Sequence, residues 1–76
     1  MKKRVYKVVS QILNVPLEII SDDFSPDQCM EWDSLKHMNL VMALEEEFQI
    51  NFEEGHIVEM LSVGLIIESI KEVNKA

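Results

Sequence analysis

The sequence predicts an all-α fold, a small antiparallel four-helix bundle of three main helices and one short one, with a long loop between helices 1 and 2. Three observations lead there. Apolar residues recur at helical spacing in separate segments divided by turn chemistry. Gly 2 and Pro 2 leave little turn material for many strands. Hydrophobic side chains at 47% and charged ones at 28% give 76 residues the balance of a folded chain. At this length folding buries only about 60% of the unfolded surface, so one domain over 1–76 with a thin core and no deep catalytic cleft is expected.

In the first segment Val5, Val8, Val9, Ile12 and Leu13 recur at helical spacing, and Pro16 pushes the residue before it out of the helical region. A first helix over about 2–14 follows. Residues 15–33, VPLEIISDDFSPDQCMEWD, show no sustained period and are rich in Asp, Ser and Pro, the marks of an ordered loop. Leu17, Ile20 and Phe24 are expected to pin it to the core. From Ser34 to about Phe48, residues Leu35, Met38, Val41, Met42, Leu44 and Phe48 form a second helical stripe, which Asp33 or Ser34 can cap. Asn51 and Glu54 have the spacing of a capping box and predict a short third helix to about Leu61, weakened by Gly55. Ser62 can cap a last helix that buries Val63, Ile66, Ile67, Ile70 and Val73.

The net charge of −7 is unevenly spread. Lys2, Lys3, Arg4 and Lys7 lie in the first ten residues, and all 14 acids follow them. Such a surface repels nucleic-acid phosphates and anionic lipid heads and attracts basic proteins. No stretch approaches the roughly 20 apolar residues that span a membrane. The N-terminal MKKRVYKVVSQIL is interrupted by Lys7, Ser10 and Gln11 and reads poorly as a signal peptide. A cytoplasmic monomer is expected, without nucleic-acid binding or membrane insertion.

Metal chemistry is not expected. Cys29, His37 and His56 lack the paired spacing of zinc ligands. The acids from Asp22 to Asp33 lack the glycine and glutamate of a calcium loop, since Asp27 and Asp33 hold those positions. Ser34 and His37 stand three apart but have no orienting third group and no G-x-S-x-G elbow, so no catalytic residues are assigned. What sets Ser34 apart is its place after a loop and at the head of a helix, where unpaired N–H groups and the positive dipole end favour an anion such as a phosphate ester. Asp33 opposes that anion and needs a reason of its own; beside a phosphate acceptor a carboxylate can help hold a divalent ion during transfer.

The stretch DSLKHMNLVMALEEEF resembles the modification motif and second helix of acyl carrier proteins, small four-helix bundles that carry acyl chains as thioesters. The likeness is strong over residues 31–52 and extends in element order to the whole chain. It implies a carrier and not an enzyme, with Ser34 the attachment point of 4′-phosphopantetheine, transferred from coenzyme A by a magnesium-dependent phosphopantetheinyl transferase. Asp33 matches the family's acidic residue before the serine and Leu35 its apolar residue after it. Glu45, Glu46 and Glu47 match the acidic helix that docks on basic surfaces of synthases, acyltransferases and acyl-activating enzymes, and Glu53 and Glu54 extend that face.

Lys36 and Asn39 stand where the family's fatty-acid carriers usually have acids, so with His37 they are expected to select a different partner set. Trp32 replaces a small residue; it either covers the helix entrance with its N–H in water or contacts the pantetheine arm. WDSL is similar to carriers of specialised pathways making polysaccharides, polyketides or amino-acid-derived products. Met38, Met42 and Met60 either fill the core or, with Val58 and Leu61, line an acyl pocket between helices 2 and 3. Two other readings stay open. An aminoacyl or peptidyl carrier loaded by an adenylating enzyme is one, and an unmodified acidic helical adaptor is the other.

Overall fold

Helix order follows the apolar pattern closely. The structure, a computed structural model, describes residues 2–74; residues 1, 75 and 76 of the expected domain lie outside that range. Its helices are α1 (Lys2–Leu13), α2 (Ser34–Phe48), α3 (Glu54–Glu59) and α4 (Val63–Asn74), and the loop after α1 contains two single-turn 3₁₀ segments, Leu17–Ile19 and Pro26–Gln28. The described residues form a small helical bundle without strands.

α1 packs along α2 and α4. Their common core holds Val5, Val9 and Leu13 from α1, Leu40, Val41 and Leu44 from α2, and Val63, Ile66 and Ile70 from α4. Ile20, Phe24, Cys29 and Trp32 close it from the loop. Leu17, expected to help, is 48% exposed because its 3₁₀ turn lies on the surface. Val73 is only half-buried.

α1 and α2 stop in the same way, without glycine. Asn14 and Gln49 both adopt a left-handed backbone at φ 56°, and the next amide turns back into the last turn, Val15 N–H to Ser10 O at 3.1 Å and Ile50 N–H to Glu45 O at 3.1 Å. That geometry satisfies carbonyls that a helix end otherwise leaves unpaired.

The loop is stitched to the head of α4. Val63 N–H donates to Phe24 O at 2.9 Å and Gly64 N–H to Asp22 O at 2.8 Å, while Leu65 N–H reaches the Ser62 hydroxyl at 3.2 Å. Gly64 permits this approach, since a Cβ there would lie 3.1 Å from the Asp22 carbonyl oxygen.

Two expected boundaries and one stripe are corrected. α3 begins at Glu54 with Glu53 at its N-cap, not at Asn51, and ends at Glu59. Residues 51–53 lie outside the helix: Phe52 is buried with its N–H donating to the Glu45 carboxylate at 2.9 Å, and the capping box is formed by Glu53 and His56. On α2 the buried face contains Leu40, absent from the expected stripe, whereas Leu35 and Met42 are 71% and 63% exposed.

Candidate functional site

Asp33 and Ser34 divide the work at the head of α2. Asp33 is the N-cap, with an extended backbone and a carboxylate that accepts the Lys36 N–H at 2.9 Å, while its carbonyl accepts the His37 N–H at 2.8 Å. Ser34 is the first helical residue, exposed, with its hydroxyl not needed as a cap. The N–H groups of Ser34 and Leu35 have no carbonyl within the helix to reach, so this end retains donors and positive dipole for an anion.

Beside Ser34 lies a groove of about 580 Å³, lined by Pro26, Trp32, Asp33, Ser34, His37, Met38, Ile57, Val58 and Leu61. Its walls are mostly apolar and come from α2, α3 and the loop. Met38, Val58 and Leu61 are exposed into solvent or groove at 46%, 68% and 60%. Met60 and Met42, named with them for an acyl pocket, do not line it. Met60 is fully buried in the core, and Met42 projects from α2 outside the groove lining.

Trp32 stands at the groove with only 4% of its surface exposed. Its N–H is not in water, as the covering role required; it donates to His37 Nδ1 at 2.9 Å. The two rings lie 22° from coplanar, and Phe24 stacks on the indole at 6.2 Å. The other His37 nitrogen, Nε2, is 2.9 Å from the Ile57 carbonyl oxygen. His37, expected at the partner surface, is therefore half-buried with both nitrogens engaged inside the protein. Lys36 is half-buried and Asn39 exposed.

The acidic residues also separate. Glu45 is held by the Phe52 N–H, and Glu47 by Arg4, whose Nε lies 2.9 Å from Glu47 Oε2 and whose guanidinium sits 4.5 Å above the Phe48 ring. Glu53 is at the α3 N-cap, and its N–H meets His56 Nδ1 at 3.4 Å. Glu46 and Glu54 are exposed. Internal ties to Glu45 and Glu47 arise because Phe52 and Arg4 approach from other parts of the chain, which helix spacing does not reveal. Pro26 and Ile57 were not anticipated as groove residues. Ile57 shares a short helix with Val58 and could have been suspected, whereas Pro26 comes from the loop and has no sequence signal.

Among the described residues no cluster of His, Cys, Asp and Glu could hold a metal ion, and no helix is long and apolar enough to cross a membrane. A family model described as a phosphopantetheine attachment site matches residues 3–70. A curated acyl carrier protein of Buchnera aphidicola subsp. Schizaphis graminum (strain Sg) is 34% identical over 74 residues, covering 97% of this chain and 94% of that one. The chain belongs to the acyl carrier protein family.

The fold agrees. The solution NMR structure of a holo acyl carrier protein from Geobacter metallireducens superposes with a TM-score of 0.85 at 23% identity, covering 97% of this chain and 85% of that chain. As an acyl carrier protein the chain is a carrier and not an enzyme, and its prosthetic group is 4′-phosphopantetheine. Carriage entails a transferase that attaches the group and enzymes that load and unload it. The head of α2 fits such a group: a free hydroxyl, unpaired amide donors for a phosphodiester and an apolar groove occur together there.

Proposed function

We propose that Ser34 takes the 4′-phosphopantetheine arm, and that the chain, a single acyl-carrier domain over 1–76, works as a cytoplasmic monomer. The observation that carries this reading is the placement of an exposed Ser34, freed from capping by Asp33, next to the apolar groove. When attached, the arm supplies a terminal thiol that holds the acyl group as a thioester. The chain's own residues bind and present it. The Ser34 and Leu35 amides and the α2 dipole favour the phosphodiester, Met38, Val58 and Leu61 offer an apolar rest for the cargo, and Glu46, Glu53 and Glu54 face basic docking surfaces of synthases, acyltransferases and acyl-activating enzymes.

The same groove supports acyl over aminoacyl cargo, because its walls are mostly apolar and its one acid, Asp33, sits at the head of α2 and already accepts the Lys36 N–H. Lys36 in place of the usual acid supports a partner set belonging to specialised lipid, polyketide or polysaccharide synthesis as much as to fatty-acid synthesis.

The test is direct. Incubation with coenzyme A, magnesium and a broad-specificity phosphopantetheinyl transferase adds one phosphopantetheine mass to the wild type and none to Ser34→Ala. Since Ser34 does not cap the helix, Ser34→Ala keeps its unfolding free energy within about 0.5 kcal/mol of wild type. Modification of Ser34→Ala, or no modification of wild type by several transferases, would refute the assignment. The mass of the adduct in protein from its native cell separates acyl from aminoacyl cargo.

A further inference from the structure

We propose that His37 is a positioning residue whose neutral imidazole ties Trp32 to Ile57 across the groove beside Ser34 and whose protonation breaks that tie. The proposal rests on the carrier reading only for what occupies the groove; the switch itself is a property of the unmodified chain.

The hydrogen bonds fix the tautomer. An indole N–H can only donate, so His37 Nδ1, 2.9 Å from Trp32 Nε1, must be an acceptor. The imidazole proton is then on Nε2, from which it donates to the Ile57 carbonyl at 2.9 Å. One ring thus joins the residue two before Ser34, the first turns of α2 and the middle of α3. Trp32 and Ile57 are both groove walls.

α3 needs such a tie. It has six residues and does not pack closely along any other helix, so it is secured by the buried Met60 at its end, by His56 against Glu72 at 3.3 Å, and by His37. A short element with few packed neighbours is the kind that opens locally at low free energy.

A proton on Nδ1 would set two donors, N–H against N–H, face to face. The bond is lost, and the Trp32 N–H is left unpaired in a site only 4% exposed. Leaving a buried donor unsatisfied is costly, so either the indole leaves the ring or the ring moves and carries with it Ile57, to which its Nε2–H stays bonded; in both cases the two walls part. Histidine is the side chain whose charge ordinarily changes between about pH 5 and 8. The charged groups on the surrounding elements are Asp33 and Lys36 at the head of α2, Glu54, His56 and Glu59 on α3, and Asp27 in the second 3₁₀ turn. Among the described residues none forms an ion pair with His37, so no carboxylate compensates the broken bond. His56 differs: its proton would forfeit the Glu53 amide but gain a charge opposite Glu72.

The experiment uses the full chain, first unmodified. Nitrogen-detected NMR at about pH 8 should show His37 as the Nε2–H tautomer, and on titration to about pH 5 the Trp32 indole N–H and the Ile57 and Val58 amides should shift on one curve. Trp32 is the only tryptophan, so its indole signal needs no assignment by subtraction. In His37→Gln, where an amide can accept and donate but not protonate, those shifts should vanish, and in His56→Gln they should persist. An Nδ1–H tautomer, a pH-independent indole signal, or shifts that survive His37→Gln would overturn the proposal. The tautomer is read on wild type, so it stands even if a variant fails to fold. With an acyl-loaded arm the midpoint should fall, because a cargo that rests on the tied walls opposes protonation; an unchanged midpoint would overturn the link to the groove. Ser34→Ala should titrate like wild type, so failure of the attachment assignment and failure of the switch are seen separately.

Discussion

Asp22 binds three parts of the molecule at once. Its carboxylate accepts the Tyr6 hydroxyl at 2.6 Å and lies 2.9 Å from Lys2 Nζ, while its carbonyl receives the Gly64 amide. The Tyr6 hydrogen bond first, and the Lys2 hydrogen bond after it, hold the Asp22 carboxyl below its ordinary value; the same Asp22 bond raises Tyr6. The signs give a pH window. The folded chain binds fewer protons at Asp22 than the unfolded chain, so this contribution is present above about pH 4 and is lost as pH falls through the depressed folded value. The Tyr6 contribution is present below about pH 10 and is lost as pH rises through the raised one. Tyr6→Phe should therefore lower Tm most near neutrality, and the gap from wild type should narrow below about pH 4. A gap that stays constant down to strong acid, followed by circular dichroism, would argue that Asp22 does not favour its charged form through Tyr6. None of this was legible in the sequence, because Tyr6 and Asp22 meet only once the loop has folded back on α1.

α2 shows how far periodicity reaches. It has apolar residues on two faces: Leu40, Val41 and Leu44 face the core, while Leu35, Met38 and Met42 form a second, exposed line with the same helical spacing. Spacing announces the helix but does not say which line is buried, and the expected stripe mixed the two. Leu40→Ala should cost about 2–5 kcal/mol in denaturant unfolding, and Met42→Ala no more than about 0.5 kcal/mol. The reverse order would mean that the helix is rotated from the orientation described. Other elements were read well where a local signal was sufficient, as with Ser62 heading α4 and Ile66, Ile67 and Ile70 along it. At the start of α3 Asn51 and Glu54 imitate the box that Glu53 and His56 form two residues on, while Phe52 is held by Glu45 from outside that window. Helix ends at Asn14 and Gln49 lacked the usual glycine signal.

At the scale of the whole molecule, charge is the informative quantity. The basic residues of the first ten are partly spent within the fold, Lys2 on Asp22 and Arg4 on Glu47, so the sequence's acidic run overstates what partners meet. Of the acids proposed to face partners, Glu46 and Glu54 are exposed and in no ion pair among the described residues. Reversing both, Glu46→Lys with Glu54→Lys, should lower kcat/KM for pantetheinylation by a transferase with a basic docking surface roughly 2- to 10-fold at low salt, with the loss shrinking as ionic strength rises. A salt-independent loss would point to altered folding instead, and no loss would move the docking face elsewhere. The family was legible because the DSL motif and the helix after it are contiguous, whereas the groove beside Ser34 is assembled from the loop, α2 and α3 and became visible only in three dimensions. One last consequence follows from Asp33 taking the cap. Because the neighbouring carboxylate secures the helix, Ser34 is not needed to hold it, so on the proposed reading a group can be attached there and removed again without costing α2 its cap.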